Sequence, residues 1–136
     1  MSPALDHLGI AVADLEAALA IYRRLGLEAA GQEEIAQEGV RVAMLPLSGS
    51  RLELLEATRP DSSIARFLAR RGPGLHHIAL RVTGLARMVE NLRQAGAQFT
   101  QTEIQTGAGG HKYIFLHPAS AGGVLIELVE EAADGV

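Results

Sequence analysis

Cysteine is absent from the 136 residues. That excludes disulfides, thiolate nucleophiles and cysteine-type zinc sites, and leaves histidine and carboxylate as the strong metal ligands. No apolar run approaches the roughly 18 residues of a membrane span, and no basic start leads into an apolar stretch and a cleavage site. Neither a transmembrane segment nor a signal peptide is expected, and a cytoplasmic location is the default. An excess of positive charge is missing too: 12 basic and 16 acidic side chains are dispersed along the chain for a net charge of -4. No basic face for nucleic acid stands out. What is present is an apolar content of 48%, enough to bury the core of one compact domain spanning residues 1–136, or of two small modules sharing a core.

The most informative regularity is internal. Residues 5–26 and 75–96 follow one pattern at a constant offset of 70, the mark of a duplicated unit. Leu8, Ile10 and Val12 match Ile78, Leu80 and Val82. Each alternating run leads into an amphipathic segment, Leu15, Ala18, Leu19, Tyr22 and Leu25 in the first copy and Leu85, Met88, Val89, Leu92 and Ala95 in the second. Those spacings of three and four predict helices. Asp14 is placed to cap the first helix, and Gly26 and Gly96 stand one residue past the last apolar position, so both helices are expected to begin and end alike. Short β-type runs follow, over 28–35, 40–47 and 51–57 in the first half and 98–104, 112–117 and 123–130 in the second. Each half therefore reads βαβββ, the first over 5–57 and the second over 75–131. Residues 58–74 form the linker, with a short helix over 61–71 closed by Gly72-Pro73-Gly74. The fold class is α+β: two tandem βαβββ modules with curved, mostly antiparallel sheets. Helices should cover one face of each sheet and leave the other faces to form a cleft.

Strand alternation assigns the chemistry to that cleft. With Leu8, Ile10 and Val12 facing the helix, His7, Gly9 and Ala11 face the other way, as do His77 and Ala79 in the second copy. Leu52 and Leu54 flank Glu53 as Ile126 and Leu128 flank Glu127, so both glutamates also point away from the helices. His7 and His77 are repeat mates, and so are Glu53 and Glu127, at an offset of 74. Two imidazoles and two carboxylates suit a divalent transition metal and leave positions open for a substrate. For any one residue, a hydrogen-bonded core histidine or an ordinary strand glutamate is the simpler reading. The paired polar residues between apolar neighbours argue for the metal, because such groups cost stability unless something satisfies them.

With His7, Glu53, His77 and Glu127 in a doubled βαβββ pattern, residues 5–131 resemble the vicinal oxygen chelate, or glyoxalase-like, superfamily. Within it, several segments resemble the methylmalonyl-CoA epimerase family: Asp6-His7-Leu8-Gly9-Ile10-Ala11-Val12, Arg59 to Leu68, Gly74-Leu75-His76-His77-Ile78-Ala79, Gly107 to Lys112, Phe115-Leu116-His117-Pro118 and Gly122 to Leu128. The resemblance implies interconversion of (2R)- and (2S)-methylmalonyl-CoA through a metal-stabilised enolate. It implies cobalt as the divalent metal, with zinc, nickel, manganese or iron as alternatives, an acyl-CoA thioester as substrate, and a homodimer. Many family members carry a glutamate, proposed as a base, three residues after the glycine corresponding to Gly39, where this chain has Val42, so that role does not transfer. Many also carry glutamine where Glu53 stands. By analogy with glyoxalase I, Glu53 and Glu127 are assigned as both ligands and proton carriers. The turn with Gly109, Gly110, His111 and Lys112 is the candidate substrate-binding segment, its amides and lysine charge suiting a thioester carbonyl or a CoA phosphate; a plain hairpin connection explains the same residues. His76 is turned away from the ligands by alternation, His117 before Pro118 reads as turn chemistry, and Glu33, Glu34 and Glu38 read as a solvated rim. Two rivals remain: glyoxalase I, whose relatives usually show Asp-Pro-Asp-Gly where this chain has His117 to Gly123, and a non-catalytic binding protein of the bleomycin-resistance type, which generally lacks a full ligand set.

Overall fold

Alternation by two and spacing by three and four translate into a regular order of elements in the computed structural model, which describes residues 2–132. The order is β1 (Ala4–Ala11), α1 (Leu15–Arg24), β2 (Gly31–Ile35), β3 (Val40–Pro46), β4 (Arg51–Ala57), α2 (Ser63–Arg71), β5 (Gly74–Arg81), α3 (Leu85–Gln94), β6 (Gln105–Thr106), β7 (Lys112–Leu116) and β8 (Ile126–Glu130). Contacts divide the chain into two compact units, one of residues 7–76 and one in which the segment up to Asp6 joins the residues from His77 onward. The first has strand order β2-β3-β4-β1 and the second β5-β8-β7-β6. In each, the last strand runs parallel to the first and antiparallel to the strand before it. The doubled βαβββ pattern is therefore the architecture. Among the described residues, no helix is long and apolar enough to cross a membrane.

Each helix packs on its own sheet through the stripe that its spacing defines. In the first unit Leu15 and Leu19 lie against Val12, Ala43, Leu45 and Leu54; in the second, Leu85 and Val89 lie against Val82, Ile114 and Leu128. The helices end alike, with Gly26 and Gly96 at φ 94° and 91°, but they do not begin alike. Asp14 accepts from the Ala17 amide at 3.2 Å, whereas α3 is preceded by Gly84, which offers no side chain. What the two starts share is a cap from the sheet: Glu56 accepts from the Leu15 amide at 2.8 Å and Glu130 from the Gly84 amide at 2.6 Å. A carboxylate at the amino end of a helix binds unsatisfied amides and meets the positive end of the dipole.

Three further expectations need correction. The strand expected over 98–104 is absent: Phe99 makes one isolated bridge to Leu116, and β6 is only Gln105–Thr106. The Gln101 side-chain oxygen accepts from the Phe115 amide at 2.9 Å, taking a β7 donor that a continuous ladder would have used. The run expected over 123–130 begins at Ile126, because Gly122 and Gly123 hold φ of 69° and 96°, which a strand does not accommodate. Finally, the sheet face away from α1 is not left open along its whole length. Ile64 and Phe67 of α2 cover it at Ala11, Val40, Val42 and Leu55.

The start of α2 is tied down by Ser62, whose hydroxyl accepts from the Ala65 amide at 3.1 Å, and by Arg59, which donates to Asp61 at 2.8 Å and to the Ala36 carbonyl. The Arg59 hydrogen bond, and then its charge, hold the Asp61 carboxyl below its ordinary value. A depressed folded-state pKa adds stability above the unfolded value and loses it as pH falls through the folded one. Asp61→Asn should therefore be slightly less stable than the parent near neutrality, with the gap closing in acid, as read from denaturant midpoints against pH. Leu54 is fully buried and Leu25 is 68% exposed. Leu54→Ala should cost about 2–5 kcal/mol in urea unfolding, and Leu25→Ala about 0.5 kcal/mol or less.

Candidate metal centre

Register places one histidine and one glutamate on the same face of each unit. In the first, parallel pairing sets Gly9 beside Glu53 and His7 beside Arg51. In the second it sets Ala79 beside Glu127, with His77 two residues before Ala79. A residue with little or no side chain next to each glutamate leaves room above the carboxylate, and the two-residue strand period brings the histidine onto the same face.

The distances follow from that register. His77 Nε2 is 3.3 Å from Glu127 Oε1, with both side chains at most 10% exposed. Two atoms ligating one ion at about 2.0–2.2 Å, with an angle between a tetrahedral and a right one, stand roughly 3 to 3.5 Å apart. The pair fits one edge of a coordination polyhedron. Phe115, the antiparallel neighbour of Glu127, sets its ring edge-on to His77, at 5.5 Å and 86°. In the first unit His7 Nδ1 is 3.5 Å from Glu53 Oε2, but Arg51 intervenes. Its Nε and Nη2 both lie 2.7 Å from that oxygen, and Nη2 lies 3.3 Å from His7 Nδ1. Alternation turned His7 and Glu53 to one face of the first unit and His77 and Glu127 to one face of the second, and it overlooked Arg51. The signal was available, since residues 51 and 53 share a strand face.

The other candidates divide. Val42, at the position of the family's glutamate, lies 4% exposed in the cluster under α2, so this chain has turned that place into core. His76 meets Phe67 edge-on at 5.0 Å, on the side away from His77. His117 accepts from the Ala119 amide at 3.0 Å and caps the short turn Pro118–Ser120, as its setting before proline indicated. Glu33, Glu34 and Glu38 are exposed. In the glycine turn, Gly109 and Gly110 hold φ of 75° and 83°. The Gly107 amide donates to the His111 carbonyl at 2.8 Å, the Gly110 amide to the Gly107 carbonyl at 3.1 Å, and Lys112 to Thr106 at 2.8 Å. Two of the amides thus serve the turn itself. The face of β7 continues from Phe115 through Tyr113 to His111, with ring centroids 6.1 and 5.6 Å apart.

A family model described as the Glyoxalase/Bleomycin resistance protein/Dioxygenase superfamily matches residues 6–115. The chain is 38% identical over 126 residues to human mitochondrial methylmalonyl-CoA epimerase, covering 91% of this chain and 72% of that one. It is 39% identical over 127 residues to the ethylmalonyl-CoA/methylmalonyl-CoA epimerase of Cereibacter sphaeroides, covering 91% and 95%. Among solved structures, methylmalonyl-CoA epimerase from Mycobacterium tuberculosis matches with a TM-score of 0.86 at 41% identity, over 95% of this chain and 88% of that one. A methylmalonyl-CoA epimerase in complex with methylmalonyl-CoA and NH4+ matches with a TM-score of 0.86 at 40% identity, over 95% and 94%. The chain belongs to this superfamily and, within it, to the methylmalonyl-CoA epimerase family.

A β-carbon added to Gly107 would stand 2.2 Å from His111 Cε1. Gly107→Ala should push the His111 ring out of the turn and change stability by about 1 kcal/mol or less. Urea unfolding together with the NMR shift of the His111 ring checks both.

Proposed function

We propose that this chain interconverts (2R)- and (2S)-methylmalonyl-CoA, with His7, His77, Glu127 and Glu53 holding one divalent metal ion. The observation that carries the reading is the His77 Nε2 to Glu127 Oε1 separation of 3.3 Å, a donor pair at ligand spacing in a chain about 40% identical to epimerases along nearly its whole length. His7, His77 and Glu127 are buried side chains of the types that hold such an ion. When bound, the metal supplies positive charge that stabilises the negative charge developing on the thioester oxygen and orients the substrate carboxylate. Cobalt is the proposed metal, and zinc, nickel, manganese and iron suit the same donors.

The reaction moves one proton. The hydrogen on carbon 2 is flanked by the thioester carbonyl and a carboxylate, and its removal leaves a planar enolate that either face can protonate. Glu127 and Glu53 are the proposed carriers: one carboxylate accepts the proton from its face, and the other, in its acid form, donates to the opposite face. They end with protonation states exchanged. Matched carriers on two faces contribute through positioning and general acid–base catalysis. Gly109, Gly110, His111 and Lys112 are proposed to meet the acyl-CoA beyond the reacting carbon, with the His111 ring and the Lys112 charge as the contacting groups. A homodimer is the proposed assembly.

Incubation with methylmalonyl-CoA in deuterated water should place deuterium at carbon 2, and a chelator should abolish this until metal is restored. Glu127→Gln should lower kcat by about 10²-fold or more, and His77→Ala should cost metal affinity as well as rate. Absence of exchange in metal-loaded protein, together with turnover of a glutathione hemithioacetal, would reverse the assignment.

A further inference from the structure

The two half-sites share one register, and their side chains differ at three matched positions. Gly9 beside Glu53 answers to Ala79 beside Glu127, and Met44 on the other side of Glu53 answers to Phe115. At the offset of 74 that relates the glutamates, Arg51 answers to Leu125. A guanidinium thus stands where the second unit has a side chain without a hydrogen-bond donor.

We infer that Arg51 is a positioning residue that gives the Glu53 carboxylate a second resting place off the metal, so that the two glutamates, alike by descent, have different duties. The inference rests on the metal reading proposed above. Arg51 Nε and Nη2 both lie 2.7 Å from Glu53 Oε2, with Arg51 34% and Glu53 14% exposed. The guanidinium therefore reaches in from the solvent side to a carboxylate that is mostly covered, where a charge-assisted pair outweighs a surface one. Its Nη2 also lies 3.3 Å from His7 Nδ1, so one side chain touches both polar groups that the first unit offers. An oxygen held in such a cationic fork is a poorer donor to a metal cation, because its lone pairs are engaged and the two cations repel. A carboxylate that carries a proton has to leave the metal and still be held within reach of the substrate. Arg51 meets that requirement for Glu53, and Leu125 cannot meet it for Glu127.

The test is a calorimetric titration of chelator-stripped protein with Co²⁺, with the visible Co²⁺ spectrum recorded alongside. It uses the parent, Arg51→Met, Arg51→Lys, Glu53→Gln and the double variant Arg51→Met/Glu53→Gln. Arg51→Met should bind Co²⁺ roughly tenfold more tightly, with an altered spectrum as Glu53 stays on the metal, and with a fall in kcat for proton exchange larger than any change in KM. Most of the gain in affinity should disappear when Arg51→Met is made in the Glu53→Gln background, and Arg51→Lys should stay close to the parent. An equal gain with and without Glu53 would reduce Arg51 to simple charge repulsion and overturn the inference, as would an unchanged affinity in Arg51→Met. A parent protein that takes up no Co²⁺ overturns the metal reading itself, and the inference with it, before any variant is made.

Discussion

Everything chemical in this molecule depends on the parallel pairing of first and last strand within each unit. That register sets Glu53 beside Gly9 and Glu127 beside Ala79, so each carboxylate occupies a site with a bare or nearly bare neighbour. A mostly buried carboxylate is costly unless a donor or cation meets it. The same register supplies a histidine two residues earlier on the neighbouring strand, within 3.5 Å in one unit and 3.3 Å in the other. Glycine and alanine contribute little to a strand by themselves. Here they hold open the space in which the site is built.

The same strands connect the chemistry to the helices. Residues 53 and 56 differ by an odd number, so on a strand of period two they face opposite ways. Glu53 points to the side with His7, while Glu56 reaches the first amide of α1. In the second unit Glu127 and Glu130 divide in the same manner. One strand in each unit thus carries a carboxylate beside a histidine on one face and a helix cap on the other. The packing that orients the helix also fixes the position of the donor.

Duplication then allowed divergence at matched positions. Arg51 and Leu125, Met44 and Phe115, and Gly9 and Ala79 are pairs whose backbone environments agree and whose side chains do not. The second half-site is walled by an aromatic ring set edge-on to His77, whereas the first is held by a guanidinium. Val42 belongs to the same divergence. At the place where the resemblance sets a glutamate, this chain packs an aliphatic residue beneath α2.

Period and repetition made much of this legible without coordinates. The faces of His7, Glu53, His77 and Glu127, the two helices and their glycine stops, and the repeated βαβββ pattern all follow from regularities that act within a few residues, and backbone geometry obeys those wherever a strand or helix forms. Tertiary structure alone decided the rest. Gln101 takes an amide 14 residues away and dissolves an expected strand. The α2 helix covers a face that alternation left open. Arg51, whose place beside Glu53 the strand period does allow, also reaches His7 across 44 residues. These outcomes share one cause: a polar or apolar side chain is satisfied by whichever partner the fold brings nearest, and that competition between distant groups leaves no trace in local spacing.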